Sequence, residues 1–219
     1  AFGVRAHRLI VTIGLPAYDG KVVAPLVDSL LAEQFLGIKQ GVHLIIDWEI
    51  GCGLIHVARN RIANRFLQGK TDALVFVDSD MSWKGGDLVR LAKRKQDVVG
   101  GTYRTKTNEE VRFHVRGPVR KRGELWNVHG LPTGFLKISR RALEKIDAKP
   151  YRHSETETHY DFFPTGVSNR MMWGEDYGFC RLWLKSGGKI WLDPTLTLRH
   201  HDGMQVFAGD VGEWLKTHA

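Results

Sequence analysis

The first hundred residues alternate between short apolar runs and longer stretches in which apolar side chains recur at helical spacing. The apolar runs cover residues 8–14, 42–48, 74–77 and 98–99, and the helical patterns between them cover residues 22–36, 54–67 and 87–95. Strands separated by helices pair in parallel, because each helix carries the chain back to the same end of the sheet. The alternation therefore predicts an α/β fold with a mostly parallel sheet flanked by helices on both faces.

The rest of the sequence carries weaker structural signals. We expect a turn at 15–20, a basic hairpin region at 111–128, strands at 133–139, 189–194 and 195–200, helices at 140–146 and 173–185, and an irregular, polar and aromatic loop at 150–167. The chain of 219 residues is predicted to be a single domain, with residues 1–101 as one half and residues 102–219 as a second half of mixed structure.

Composition limits the class of protein and its setting. No apolar run approaches the roughly 20 residues that span a bilayer, so no transmembrane segment is predicted. Cys52 and Cys180 are too few for a disulfide framework or a structural zinc site. We therefore expect a reducing, cytoplasmic setting, which would be the host cytoplasm if the chain is encoded by a phage.

Positive charge is concentrated in one segment. The net charge is +8, and residues 84–122 contain twelve Lys or Arg against four Asp or Glu. This surplus predicts an acidic partner, such as nucleic acid, an anionic membrane face or a phosphorylated substrate. A solvated basic face is the alternative.

The apolar run at 74–77 ends in two carboxylates one residue apart, Asp78 and Asp80. Ligands of open α/β sheets bind at the carboxyl ends of strands, and divalent cations bind carboxylate oxygens there. Two other acid or imidazole pairs, Glu175-Asp176 and His200-His201, are candidate partners. Two carboxylates with an imidazole would favour Mn²⁺ over Mg²⁺. The alternatives are solvated aspartates after a strand, a helix cap at Glu175-Asp176, and structural histidines.

Several common catalytic motifs are absent from the sequence. It contains no Gly-x-Ser-x-Gly, no Gly-x-x-x-x-Gly-Lys-Ser/Thr phosphate loop, and no Gly-x-Gly-x-x-Gly after the first strand. These absences disfavour serine hydrolases, kinase-like enzymes and dehydrogenases.

A set of short blocks, in order along residues 8 to 210, resembles the GT-A fold glycosyltransferases, in particular the small, family-2-like enzymes of phages and bacteria. The blocks are Val57-Ala-Arg-Asn-Arg61, Val75-Phe-Val-Asp-Ser-Asp-Met81, Val98-Val-Gly-Gly-Thr-Tyr103, Gly134-Phe-Leu-Lys-Ile138, Gly174-Glu-Asp-Tyr-Gly-Phe-Cys180, Ile190-Trp-Leu-Asp-Pro194 and the histidine that follows. The resemblance implies a GT-A (Rossmann-like) fold and a nucleotide-sugar donor, with a UDP-sugar as the leading candidate.

The resemblance also implies roles for individual residues. Asp78 and Asp80 would hold Mn²⁺ or Mg²⁺ on the donor diphosphate. Asp176, with Glu175 beside it, would take the proton from the acceptor hydroxyl in an inverting reaction. The residues expected to hold the nucleotide are Pro16, Ala17, Asp47, Arg59, Asp78 and Ser79.

The metal histidine is ambiguous in the sequence. His200 lies seven residues after Asp193, as the family spacing implies, whereas His201 forms a His-x-Gly pattern with Gly203. Both histidines therefore remain candidates.

The predicted function is transfer of a sugar from a nucleotide-sugar to an acceptor hydroxyl. A metal-dependent nuclease and a non-catalytic nucleic-acid-binding domain are the alternatives, because acids, histidines and a basic segment would also suit them. For the acceptor, the basic 84–122 segment and the aromatic residues of 150–167 favour DNA with hydroxymethylated pyrimidines, and an anionic cell-surface glycan is the alternative.

Overall fold

The computed structural model describes residues 8–218. The first half contains β1 (Leu9–Ala17), α1 (Ala24–Lys39), β2 (Val42–Ile50), α2 (Ile55–Gln68), β3 (Ala73–Val77), β4 (Met81–Trp83), α3 (Asp87–Ala92) and β5 (Val98–Gly100). The second half contains β6 (Arg120–Arg122), β7 (Leu125–Val128), β8 (Phe135–Ser139), α4 (Arg140–Lys145), β9 (Lys149–Arg152), β10 (Thr158–Asp161), β11 (Gly166–Ser168), β12 (Met171–Trp173), α5 (Glu175–Lys185), β13 (Ile190–Leu192), β14 (Leu198–Asp202), β15 (Gln205–Ala208) and α6 (Val211–His218).

One eight-stranded sheet forms the centre of the molecule, in the order β2-β1-β3-β8-β5-β13-β7-β6. Strand β1 pairs in parallel with β2 and β3, and β13 pairs in parallel with β5. Strand β8 is antiparallel to both of its neighbours, β3 and β5. The predicted α/β class is therefore correct, but the sheet is mixed, because no crossover helix separates β5 from β8 and the chain re-enters the sheet in the opposite direction.

Both faces of the sheet are covered by apolar side chains. Along β3, Leu74 and Phe76 belong to one buried cluster, while Val75 and Val77 belong to another on the opposite face. Successive side chains of a strand point to opposite faces, so this division shows that β3 is enclosed on both sides. The apolar run at 74–77 was predicted to be buried in this way, and the structure confirms it.

Three local predictions differ from the structure. Strand β1 continues to Ala17, because Leu15 and Ala17 are buried and stay paired with β2, so the predicted turn at 15–20 is confined to residues 18–20. The basic region at 111–128 forms a hairpin only at its end, between β6 and β7. The loop at 150–167 is largely a hairpin of β9 and β10, which its polar sequence did not indicate.

Within residues 8–218, no helix combines the length and the apolar character needed to cross a membrane.

Candidate active site

A cavity of about 400 Å³ opens where β1 and β3 end at their carboxyl termini. Its walls come from four parts of the chain, at residues 16–18, 52–59, 78–80 and 175–176. The lining residues are Pro16, Tyr18, Cys52, Gly53, Ile55, Arg59, Asp78, Ser79, Asp80, Glu175 and Asp176. The structure thus brings together six of the predicted site residues around one cavity, namely Pro16, Arg59, Asp78, Ser79, Glu175 and Asp176, together with the predicted metal ligand Asp80.

The side chain of Arg59 connects the two acidic segments. It is 3% exposed, and it donates to Asp78 Oδ1 at 2.8 Å, to Asp176 Oδ1 at 2.5 Å and to a carboxylate oxygen of Glu175. Burial opposes the charge of this guanidinium, but the three carboxylates raise its pKa further above the ordinary value. Arg59 is therefore a permanent cation that holds the end of β3 against the start of α5.

Glu175 and Asp176 occupy the first turn of α5, where the helix dipole favours negative charge. Burial raises the pKa of Glu175, although Arg59 opposes that shift. Among residues 8–218, the donors to Asp176 all use Oδ1: Arg59, the backbone N–H of Thr133 at 3.2 Å and the hydroxyl of Thr133 at 2.5 Å donate to that atom. None of these bonds uses Oδ2, so the arrangement fixes the carboxylate and leaves one oxygen to accept a proton.

Asp80 is surrounded by cationic and imidazole groups. Its Oδ2 lies 2.6 Å from Lys106 Nζ and 3.3 Å from His200 Nε2. Burial alone would raise the pKa of Asp80, but the hydrogen bonds to His200 and Lys106 outweigh it and lower the pKa to about 2. Asp80 is therefore ionised at neutral pH.

The donor set fits a divalent cation. The carboxylates of Asp78 and Asp80 both line the cavity, and His200 Nε2 is directed at Asp80. Carboxylate oxygens suit Mg²⁺, and an additional imidazole shifts the preference toward Mn²⁺. By their chemistry these three residues could hold such an ion, although their ligand atoms do not all lie within 4.8 Å of one another in this structure.

Four predicted site residues lie outside the cavity lining, namely His200, which contacts the lining residue Asp80, and His201, Asp47 and Ala17. Adjacent residues on β14 point to opposite faces, so His201 lies on the face opposite His200. It is buried there, and its Nε2 shares a hydrogen bond of 2.8 Å with Ser82 Oγ. Asp47 is bonded at 2.8 Å to Arg65 on α2. Ala17 is buried at the end of β1, next to the lining residue Pro16.

The sequence did not indicate four residues that shape the site: Thr133, Lys106, Tyr103 and Gly134. The Tyr103 hydroxyl lies 3.4 Å from Asp78 Oδ2. A Cβ on Gly134 would lie 2.5 Å from the same oxygen, so this position has no room for a side chain. Tyr103 and Gly134 were the visible signals, since each occurs in a block of the resemblance without an assigned role.

Comparison with known proteins identifies the type of fold. No protein-family model matches the sequence, and no curated protein matches it. Among solved structures, A197 from STIV is 21% identical with a TM-score of 0.59, and the match covers 91% of this chain and 93% of that one. GalNAc-T7, solved with UDP, GalNAc and Mn²⁺, is 11% identical with a TM-score of 0.52, over 90% of this chain and 44% of that one. The chain therefore has a GT-A-like fold.

Proposed function

We propose that this protein is a glycosyltransferase that moves a sugar from a nucleotide-diphosphate donor to an acceptor hydroxyl. The observation that carries the proposal is the meeting of Asp78 and Asp80 with Glu175 and Asp176 around one cavity at the carboxyl ends of β1 and β3. The GT-A-like fold, shared with a transferase structure that contains UDP and Mn²⁺, supports the same donor class. A UDP-sugar is the first donor to test.

Each part of the site has a role in this proposal. Asp78, Asp80 and His200 would hold Mn²⁺ or Mg²⁺, which offsets the charge that develops on the leaving diphosphate. Arg59 keeps Asp78 and Asp176 at fixed positions on the two sides of the cavity.

Asp176 is the proposed general base. Its Oδ2 accepts the proton of the acceptor hydroxyl while the acceptor oxygen bonds to the anomeric carbon and the bond from that carbon to the diphosphate breaks. This sequence of events inverts the configuration at the anomeric carbon.

The metal role is tested with Asp78→Asn and Asp80→Asn. We expect each variant to lose Mn²⁺-dependent binding of UDP, measured by calorimetry, because an amide is a much poorer ligand for a hard cation than a carboxylate. Asp97→Asn is the matched control, since Asp97 is a partly buried carboxylate that pairs with Arg141 outside the cavity. Binding that persists unchanged in both Asp78→Asn and Asp80→Asn would refute the assignment.

The base role is tested with Asp176→Asn. We expect turnover to fall by roughly two to four orders of magnitude, the usual range for loss of a general base, while donor affinity changes only a few-fold. Single-turnover kinetics and calorimetry on the same preparation separate the two effects. If NMR of the product shows retained anomeric configuration, Asp176 has a different role.

A nucleotide-sugar screen separates this function from its rivals. With Mn²⁺ present, a transferase should be stabilised against heat by its donor, because a ligand that binds only the folded state raises the melting temperature. A nuclease or a non-catalytic nucleic-acid-binding domain should not respond to the sugar part of the donor.

For the acceptor we propose DNA that carries hydroxymethylated pyrimidines, with an anionic cell-surface glycan as the alternative. All three residues of β6, Arg120, Lys121 and Arg122, are exposed, and within residues 8–218 none of them forms an ion pair. Strand β6 lies five strands from β3, which is roughly 24 Å at the usual strand spacing. Only an extended acceptor could reach from the cavity to this strand, which favours a polymer over a short glycan.

A further inference from the structure

The β9–β10 hairpin brings two histidines and a glutamate together at its turn. His153, Glu157 and His159 each offer a ligand atom, and these atoms all lie within 4.8 Å of one another. The turn is closed by backbone bonds from the N–H of His153 and the N–H of Ser154 to the carbonyl of Glu157, at 2.9 and 3.3 Å. One seven-residue segment therefore supplies all three side chains.

Two members of this cluster are held in place by their surroundings. His159 is 2% exposed, and its Nε2 lies 2.7 Å from Glu157 Oε1. The side-chain amide of Gln68, at the end of α2, donates to the same oxygen at 3.0 Å. The other ring nitrogen of His159, Nδ1, is buried without a hydrogen-bond partner in the described chain. The two ring nitrogens direct their lone pairs to different sides of the ring, so Nε2, which lies beside Glu157, is the atom that would bind an ion shared with Glu157, and Nδ1 is not part of that site.

We propose that His153, Glu157 and His159 form a binding site for a divalent transition-metal ion such as Zn²⁺. Two imidazoles and one carboxylate are a donor set that zinc accepts, and three protein ligands leave a fourth position for water. Mg²⁺ and Ca²⁺ prefer sites made of oxygen ligands, so this cluster selects against them.

The ring geometry indicates which residue moves when the ion binds. The rings of His153 and His159 are stacked, with centroids 4.1 Å apart and planes 6° apart. An imidazole lone pair lies in the plane of its ring, so two stacked rings direct their lone pairs side by side instead of toward one point. The exposed His153 must therefore rotate toward the ion, while the buried His159 provides the fixed ligand.

This site is separate from the candidate active site, and its hairpin packs against α2. The hairpin already contacts that helix through Asn60, which donates to Asp161 at 2.7 Å, and Asn64, which donates to the carbonyl of Tyr160 at 3.0 Å. Arg59 and Gln68 are nine residues apart on α2, which places the cluster about 13 Å along the helix from the arginine of the cavity. The inference does not depend on the proposed function.

The experiment is a calorimetric titration of the intact protein with Zn²⁺ alone. We expect Asp80→Asn, in which a candidate active-site ligand is removed, to bind one equivalent, and the unaltered protein to bind the same equivalent in addition to any Zn²⁺ held at the candidate active site. His153→Ala and Glu157→Gln should weaken binding by at least about tenfold. His129→Ala is the matched control, because His129 is another exposed histidine, and it should bind as the unaltered protein does.

A second readout follows His153 directly. In NMR spectra of the imidazole nitrogens, Zn²⁺ should shift the signals of both His153 and His159, and the shifts should be absent in Glu157→Gln. The proposal is overturned if micromolar Zn²⁺ does not bind, if His153→Ala and Glu157→Gln bind as tightly as His129→Ala, or if Asp80→Asn alone abolishes binding.

Discussion

A single guanidinium, that of Arg59, offsets the charge of three carboxylates that come from two distant parts of the chain. Replacing it with methionine keeps the apolar stem of the side chain but leaves Asp78, Glu175 and Asp176 close together without their cation. We expect Arg59→Met to lower the free energy of unfolding by about 3 kcal/mol, the lower end of the range for a broken buried ion pair. Urea denaturation at neutral pH measures the loss.

The control for this variant is Arg61→Met, two residues further along α2. Arg61 is partly exposed, and its partner Glu49 also accepts from Arg65 at 2.6 Å. We expect a loss of about 1 kcal/mol or less from this variant, because the carboxylate keeps a cation. Equal losses in Arg59→Met and Arg61→Met would mean that the three-carboxylate cluster does not depend on Arg59.

At this scale the sequence predicted the acidic residues of the site and two of their partners, Arg59 and His200, but not Thr133, Lys106 and Tyr103. Asp78 and Asp80 follow an apolar strand, and Glu175 and Asp176 begin a helix, so each pair had a visible structural context. Thr133 and Lys106 lie in the long connection between β5 and β8, which has no periodic pattern from which a position could be inferred. For the histidine pair, strand alternation requires that only one faces Asp80, but the sequence alone does not determine which one.

Among the elements, β8 carries an unusual residue for the centre of a sheet. Lys137 is 6% exposed, and its Nζ donates to the backbone carbonyls of Arg94 and Gln96, at 2.5 and 3.0 Å. Burial lowers the pKa of Lys137 from 10.5 to about 8. Because the folded state binds this proton less tightly than the unfolded state, the charged lysine costs stability below pH 8, and the cost disappears as the pH rises toward 10.5.

The lowered pKa of Lys137 predicts how the stability of Lys137→Met should compare with that of the unaltered protein as the pH changes. The free energy of unfolding of the unaltered protein, relative to that of Lys137→Met, should rise by about 2 kcal/mol between roughly pH 7 and pH 9.5. Denaturant titrations of both proteins at several pH values give the difference. A difference that stays constant over this range would show that the ammonium group is not desolvated in the folded protein.

The sequence predicted most elements but not how the second half joins the sheet. The apolar runs and helical patterns of the first hundred residues correspond to β1, β2, β3 and β5 with their helices. The segment 133–139 was predicted as a strand, yet its position between β3 and β5 depends on contacts across the whole chain. Local patterns report the type of an element, whereas strand order is decided by long-range pairing. Strand β4 was missed because three residues are too few to show an alternation.

Over the whole molecule, the excess positive charge reaches both the cavity and the far edge of the sheet. Lys106 contacts Asp80, whereas Arg120, Lys121 and Arg122 lie on β6. If these residues contact phosphates, binding of duplex DNA should weaken by about 0.9 log units per log unit of salt for each phosphate neutralised. Reversing the charge of the three β6 residues should flatten that slope, as measured by fluorescence anisotropy across a salt series.

Two results would contradict the DNA acceptor. One is the absence of duplex binding at low salt, and the other is a failure to transfer sugar to hydroxymethylated DNA from any common nucleotide-sugar. The transferase proposal does not depend on either result, because it concerns the donor side of the cavity. A slope that is unchanged after charge reversal would identify β6 as a solvated basic face.

The position of β8 has a consequence for the order in which the protein can be assembled during synthesis. Strands β3 and β5 are neighbours of β8 and not of each other, so each has an unpaired edge until residues 135–139 have left the ribosome. Unpaired apolar strands are templates for wrong pairing, and late, long-range pairing slows folding. A nascent chain that stalls near residue 101 would therefore lack β8 between β3 and β5 and also β13 on the other side of β5, and we expect it to need the protection of a chaperone until these strands are added.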